Sequence, residues 1–238
     1  MKSLRTLGIA IACSTILFGC GGGGGGGSTT APAPVASTAM FQILPEIAND
    51  FNSVGTKPFS ITGTRAGVPV TGNGTVTSGS ISATVFEGVT ALKKSQTVSA
   101  TITVSGTSIP ISSTTTVYVD SSYKPLGSVD SSEYSVLVGA LTIPSTAKVY
   151  DTGTAYTMNR YSDSSKVTRV GSKAVTYTIM PDTADTALLV VVNTYRDTLG
   201  NMTQQDTSTT RITPTGGFTN LTEVGVVFSS ALTLTFTY

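Results

Sequence analysis

Ser121-Ser122-Tyr123-Lys124 and Ser145-Thr146-Ala147-Lys148 each place a serine three residues before a lysine. On the first turn of a helix, that spacing lets the amine take the serine proton, a nucleophile–base arrangement for acyl transfer. The S-D-N and K-T-G motifs that accompany such a site are missing, and both matches fall in or near turn-forming sequence. Asp130 with Glu133, and Asp182 with Asp185, are the paired carboxylates. Glycoside hydrolysis needs two carboxyls across a sugar cleft. Neighbours on one loop are better explained as turn formers, because Asp satisfies its own backbone there. The chain contains no histidine, which removes the Ser-His-Asp triad and every His-containing metal site. Its two cysteines are Cys13 and Cys20, so the rest of the chain has neither a thiol nucleophile nor a disulfide. No acidic calcium-loop motif is present, and Asp120, Asp151 and Asp163 read as turn residues. The sequence therefore assigns no catalytic residue, no metal site and no cofactor, and the expectation is a protein that is not an enzyme.

Binding is the remaining class. Tyr118-Val119-Asp120-Ser121-Ser122-Tyr123-Lys124-Pro125-Leu126-Gly127 is the most distinctive internal string. A strand runs into a turn where Pro125 and Gly127 interrupt pairing. Tyr123 and Lys124 form a candidate interaction rim. The plainer reading is a corner whose tyrosine packs and whose lysine is solvated. Tyr150, Tyr156, Tyr161 and Tyr177 suit half-buried strands as well as binding surfaces.

The elements that position these residues follow from hydrophobic periodicity. Phe41, Leu44, Ala48 and Phe51 recur at helical spacing and predict a short helix over residues 44–52, with Pro45 in its first turn. From Phe59 onward the period is two. Val98, Ala100, Ile102 and Val104 alternate with Ser99, Thr101, Thr103 and Ser105, which places Ile102 inside and Thr101 outside. Expected strands span 59–65, 68–77, 80–92, 96–105, 108–119, 133–142, 154–161, 166–180, 187–197, 202–213, 218–228 and 231–238. Gly72-Asn73-Gly74, Ser105-Gly106-Thr107, Leu199-Gly200-Asn201 and Thr215-Gly216-Gly217 are among the turn signals between them. Connections this short exclude parallel crossovers. The predicted class is all-β, an antiparallel meander forming a β-sandwich or curved half-barrel, with one short N-terminal helix. Phe86, Val104 and Val191 are expected to pack against protein atoms in a filled core.

The N-terminal region speaks of location. Met1-Lys2-Ser3-Leu4-Arg5 is basic, Leu7 to Phe18 is apolar, and Gly19 precedes Cys20. These are the marks of an export signal. The tetrad Leu17-Phe18-Gly19-Cys20 resembles the lipobox of bacterial lipoproteins. That resemblance implies removal of residues 1–19, diacylglycerol on the Cys20 sulfur and acylation, palmitate among the chains, of the new amino terminus. An aspartate after the cysteine commonly retains such proteins in the inner membrane. Here Gly21 stands in that place, and the resemblance implies the outer membrane. Residues 20–38 read as the lipidated cysteine plus a flexible Gly/Ser/Thr/Ala/Pro linker, with an end-to-end distance of about 23 Å over residues 21–38. Residues 39–238 read as a single β-rich domain.

Lys2 and Arg5 account for two of the 14 basic residues, leaving 12 against 13 acidic ones. That balance argues against a nucleic-acid partner. The chain as a whole is similar to Ser/Thr-rich β envelope lipoproteins. The expected function is an envelope lipoprotein with a structural or interaction role. Its expected partners are the membrane, through its lipid, and an envelope protein or an apolar ligand. One alternative is a half-barrel carrier of lipid or lipoprotein resembling the LolA/LolB group. A cell-wall or polysaccharide enzyme ranks last.

Overall fold

A computed structural model describes residues 34–238. The expected signal, lipobox and most of the linker lie outside the described residues. From Phe41 the chain forms β1 (Phe41–Gln42), α1 (Ile43–Asn52), β2 (Gly55–Arg65), β3 (Val68–Ser78), β4 (Ser82–Phe86) and β5 (Val89–Val104). It continues as β6 (Thr107–Val119), β7 (Pro125–Val129), β8 (Tyr134–Val138), β9 (Thr146–Ala147) and β10 (Thr152–Tyr161). The last strands are β11 (Arg169–Pro181), β12 (Ala187–Arg196), β13 (Met202–Ile212), β14 (Phe218–Val227) and β15 (Leu232–Thr237). The all-β class, the antiparallel meander and the single short α-helix are as the periodicity predicts.

The sheet is neither a sandwich nor a half-barrel. β15 returns to pair with β2, and β3 pairs with β5, so twelve strands close into a barrel. The length of β5 makes this closure possible. One edge of it takes β4 along Val89–Lys93 and then β3 along Gln96–Val104. Its other edge runs along β6. Closure satisfies the backbone groups that an open sheet leaves at its edges.

Local turn chemistry corrects three expected boundaries. Residues 80–92 are not one strand but the β4–β5 hairpin, turned at Glu87-Gly88 with both residues at positive φ. This is the primed two-residue turn that matches strand twist. Residues 96–105 then belong to the same long β5. Gly72-Asn73-Gly74 is not a turn but the middle of β3. A Cβ on Gly74 would lie 2.5 Å from the Ser99 carbonyl oxygen and 2.7 Å from the Phe59 ring, so a side chain there has no room.

Strand register sorts the wall into two faces. Phe236, Ile61, Gly72, Ile102 and Ile109 form one inward row across β15, β2, β3, β5 and β6. The next row outward is Thr235, Thr62, Thr71, Thr103 and Ser108. Ile102 is buried and Thr101 is exposed, as the alternation predicts. The outer hydroxyls pair across strands: Thr56 with Thr77 at 3.0 Å, Ser95 with Thr116 at 2.8 Å and Thr97 with Thr114 at 2.8 Å. Such pairs are the unit of sheet stabilisation, which explains the Ser/Thr texture of the sequence. On the inside, Phe59, Ile61, Val70, Val98, Ile102 and Phe236 collapse into a filled apolar core over β2, β3, β5 and β15. The rest of the barrel is covered by α1 and the β1–β9 pair.

Candidate functional site

Helix α1 presents Ile43, Ile47 and Phe51, spaced four apart on one face, to the barrel interior. Its ends are pinned. Gln42 provides no side-chain cap, but the Ile43 N–H donates to the Ser145 carbonyl at 2.9 Å. At the other end, the Lys94 Nζ donates to the carbonyls of Asp50 (3.0 Å), Phe51 (2.9 Å) and Ser53 (2.9 Å). A cation there satisfies carbonyls at the helix end, of which Asp50 also accepts from the Ser53 N–H at 3.1 Å, and complements the negative end of the helix. Asn49 adds a bond to the Gly216 carbonyl at 2.9 Å.

Between this helix and the wall lies a cavity of about 150 Å³. Its lining includes Ile47, Phe51, Val119, Val175, Leu189 and Val191, from α1 and strands β6, β11 and β12. Val191 packs against the apolar cluster of Ile43, Ile179 and Leu189, as expected, and also lines the cavity that the helix leaves unfilled. Phe86 instead packs on the outer side of the wall, with ring centroids 4.2 Å from Tyr118 and 5.4 Å from Tyr134. Val104 packs against the filled half.

One side of the lumen carries ionisable groups. Lys173 is 3% exposed and lines the cavity. Its cross-strand neighbours are Met158 on β10 and Tyr195 on β12. Asp206 on β13 sits opposite Asn193, and Glu223 on β14 opposite Ser208. Burial pushes the Asp206 carboxyl up to about 6, against hydrogen bonds from Gln204 and Tyr195. Burial, reinforced by Asp206, raises Glu223 well above the usual carboxylate range. Burial lowers Lys173, opposed by the charge on Glu133. Glu133 itself is pushed up by burial but held lower overall by Arg160, whose Nε donates to its Oε2 at 2.7 Å.

The sequence candidates are placed as follows. Cys20 lies outside the described residues. Tyr123, at positive φ, packs edge-on to Phe51 with centroids 6.0 Å apart, and its hydroxyl reaches the Asn52 Oδ1 at 3.4 Å. It holds the C-terminal end of α1. Lys124 is exposed, and its backbone N–H donates to the Asp120 Oδ1 at 3.0 Å. Neither S-x-x-K match lies on a helix. Asp130 accepts from the Ser132 N–H at 2.7 Å, a turn bond, while Glu133 points to Arg160. Asp182 accepts from Arg211 Nε at 2.6 Å and Nη2 at 3.0 Å, and Asp185 lies in the Thr183–Thr186 turn. The structure thus brings neither carboxylate pair together across a cleft. No group of three or more metal-ligating side chains occurs among the described residues.

Lys94, Lys173, Asp206 and Glu223 were not singled out by motif reading. Their signal is parity: Lys173 falls in phase with Val175, Tyr177 and Ile179, the inward residues of β11. An ionisable residue on the buried parity of a strand marks a lumen group.

Compared with protein-family models, with curated proteins and with solved structures, the chain matches none.

Proposed function

We propose that this chain is a membrane-anchored, non-enzymatic envelope lipoprotein whose barrel binds a small apolar ligand. The cavity between α1 and the barrel wall carries the reading. A cavity of about 150 Å³ with aliphatic and aromatic walls is large enough for a single ring. It is too small for a whole phospholipid, so the ligand is a ring or a short alkyl chain. The Thr and Ser rows on the outer wall favour water, whereas a membrane barrel presents an apolar band to lipid. The Leu17-Phe18-Gly19-Cys20 tetrad supports attachment through a lipid at Cys20, and Gly21 supports the outer membrane.

The test is titration of the purified protein with ethylbenzene, read by calorimetry and native mass spectrometry. Saturable binding of one molecule per chain is expected. Ile47→Trp should fill the cavity and reduce the affinity at least tenfold. No saturable uptake by the unaltered protein would overturn the proposal and favour a domain that acts only through its outer surface.

A further inference from the structure

Among the residues that line the cavity, one cation has no hydrogen-bonded acceptor. Lys173 is buried and lines a space otherwise walled mainly by apolar side chains. No hydrogen bond from its Nζ occurs among the described residues; the Nζ stands over the face of the Tyr195 ring, 5.8 Å from the centroid. Asp50 also lines the cavity, and the carboxylates whose fields reach Lys173 are engaged elsewhere. Glu133 takes Arg160 Nε at 2.7 Å on Oε2 and the Ser135 hydroxyl at 2.6 Å on Oε1. Asp206 takes Gln204 Nε2 at 2.9 and 3.0 Å. Glu133, Asp206 and Asp130 act on Lys173 through their fields alone. Arg160, tied to Glu133, and Lys94, bonded to the end of α1, are lumen cations too, and neither is part of the cavity lining.

Burial disfavours the ammonium form of Lys173 while no acceptor is present, and an anion arriving at the cavity wall would favour that form again. The acceptor must be compact and anionic, and the rest of its molecule must be apolar to suit Ile47, Phe51, Val119 and Val191. We infer that the ligand is an apolar monoacid, of the size of a phenyl- or short alkyl-carboxylate, whose anionic head pairs with Lys173. The inference rests on the cavity being a ligand site. Charge-assisted hydrogen bonds at buried sites are stronger than neutral ones, so the head group should add selectivity as well as orientation.

Phenylacetate and ethylbenzene, alike in ring and chain, separate the two claims when titrated side by side. The unaltered protein should bind phenylacetate at least about 10-fold more tightly than ethylbenzene. Lys173→Met should erase that preference while retaining ethylbenzene. In the unaltered protein, phenylacetate should also shift the Lys173 ¹³Cε resonance more than ethylbenzene does, a readout that does not depend on the variant folding. Equal affinities for the two probes, or a preference that survives Lys173→Met, would overturn the role of Lys173 and leave the apolar cavity standing. Binding of neither probe would overturn both.

Discussion

A carboxylate held inside a barrel wall links folding to pH in the opposite sense to a surface ion pair. Asp206 is raised from 3.8 to about 6 by burial, despite its bonds from Gln204 and Tyr195 and the nearby charges of Lys173 and Arg160. Between those values the folded chain holds a proton that the unfolded chain has released. The contribution of this group is therefore most favourable below pH 4 and is lost as pH rises through about 6, by about 3 kcal/mol. Glu223, raised by burial and by Asp206, acts in the same direction from its ordinary value upward. Glu133 and Asp182, lowered overall, act oppositely and lose stability as pH falls. Comparing variant with parent isolates the term. The unfolding free energy of Asp206→Asn minus that of the parent should rise by about 3 kcal/mol between pH 4 and pH 7, measured by urea titration. A flat difference would mean that Asp206 titrates alike in both states.

Helix α1 is only ten residues long and would be marginal in isolation. Its place is fixed by what meets its ends, above all by Lys94 reaching three carbonyls from β5. Lys94→Met keeps the stem volume and removes the donors that reach the Phe51 and Ser53 carbonyls, while the Asp50 carbonyl keeps the Ser53 N–H. The expected loss is roughly 2–4 kcal/mol in denaturant unfolding. Amide exchange should speed up over residues 43–52 before the barrel strands are affected, and exchange rates unchanged from the parent would count against the clamp. The helix itself was legible from helical spacing, but its face was not: Phe41 lies in β1, and the residues turned inward are Ile43, Ile47 and Phe51. Strand parity was legible too, since Ile102 and Thr101 fall on opposite faces. The Glu87-Gly88 turn was hidden because Glu, unlike Asn or Asp, is not a turn marker in front of a glycine. Ala66-Gly67 and Ser105-Gly106 adopt the same positive-φ pair. Lys173, too, was readable only once β11 was known to bury one face. The cavity depends on what side chains from several strands leave unfilled, which no local pattern records.

At the scale of the whole molecule, closure could not be read from alternation, because period two shows which face a strand buries but not which strand it meets. The β3–β5 pairing turns a meander with two edges into a ring, whose outer wall carries rows of Thr and Ser across β15, β2, β3, β5 and β6 and an aromatic cluster at Phe86, Tyr118 and Tyr134. Under the proposed function, membrane attachment is assigned to a lipid at Cys20 rather than to these rows. Every residue that builds the wall, the helix and the cavity lies at or beyond Phe41. Anchoring and folding should then be separable by one atom. In Cys20→Ala, metabolic labelling with a fatty acid should vanish and the protein should move from the membrane to the soluble fraction. Its unfolding free energy should stay within about 0.5 kcal/mol of the parent, and its affinity for the cavity probes should not change. A parent protein that takes up no labelled fatty acid would rule out the lipobox reading. A Cys20→Ala protein that remains on membranes would place the attachment in the barrel wall itself, against the hydroxyl rows that cover it.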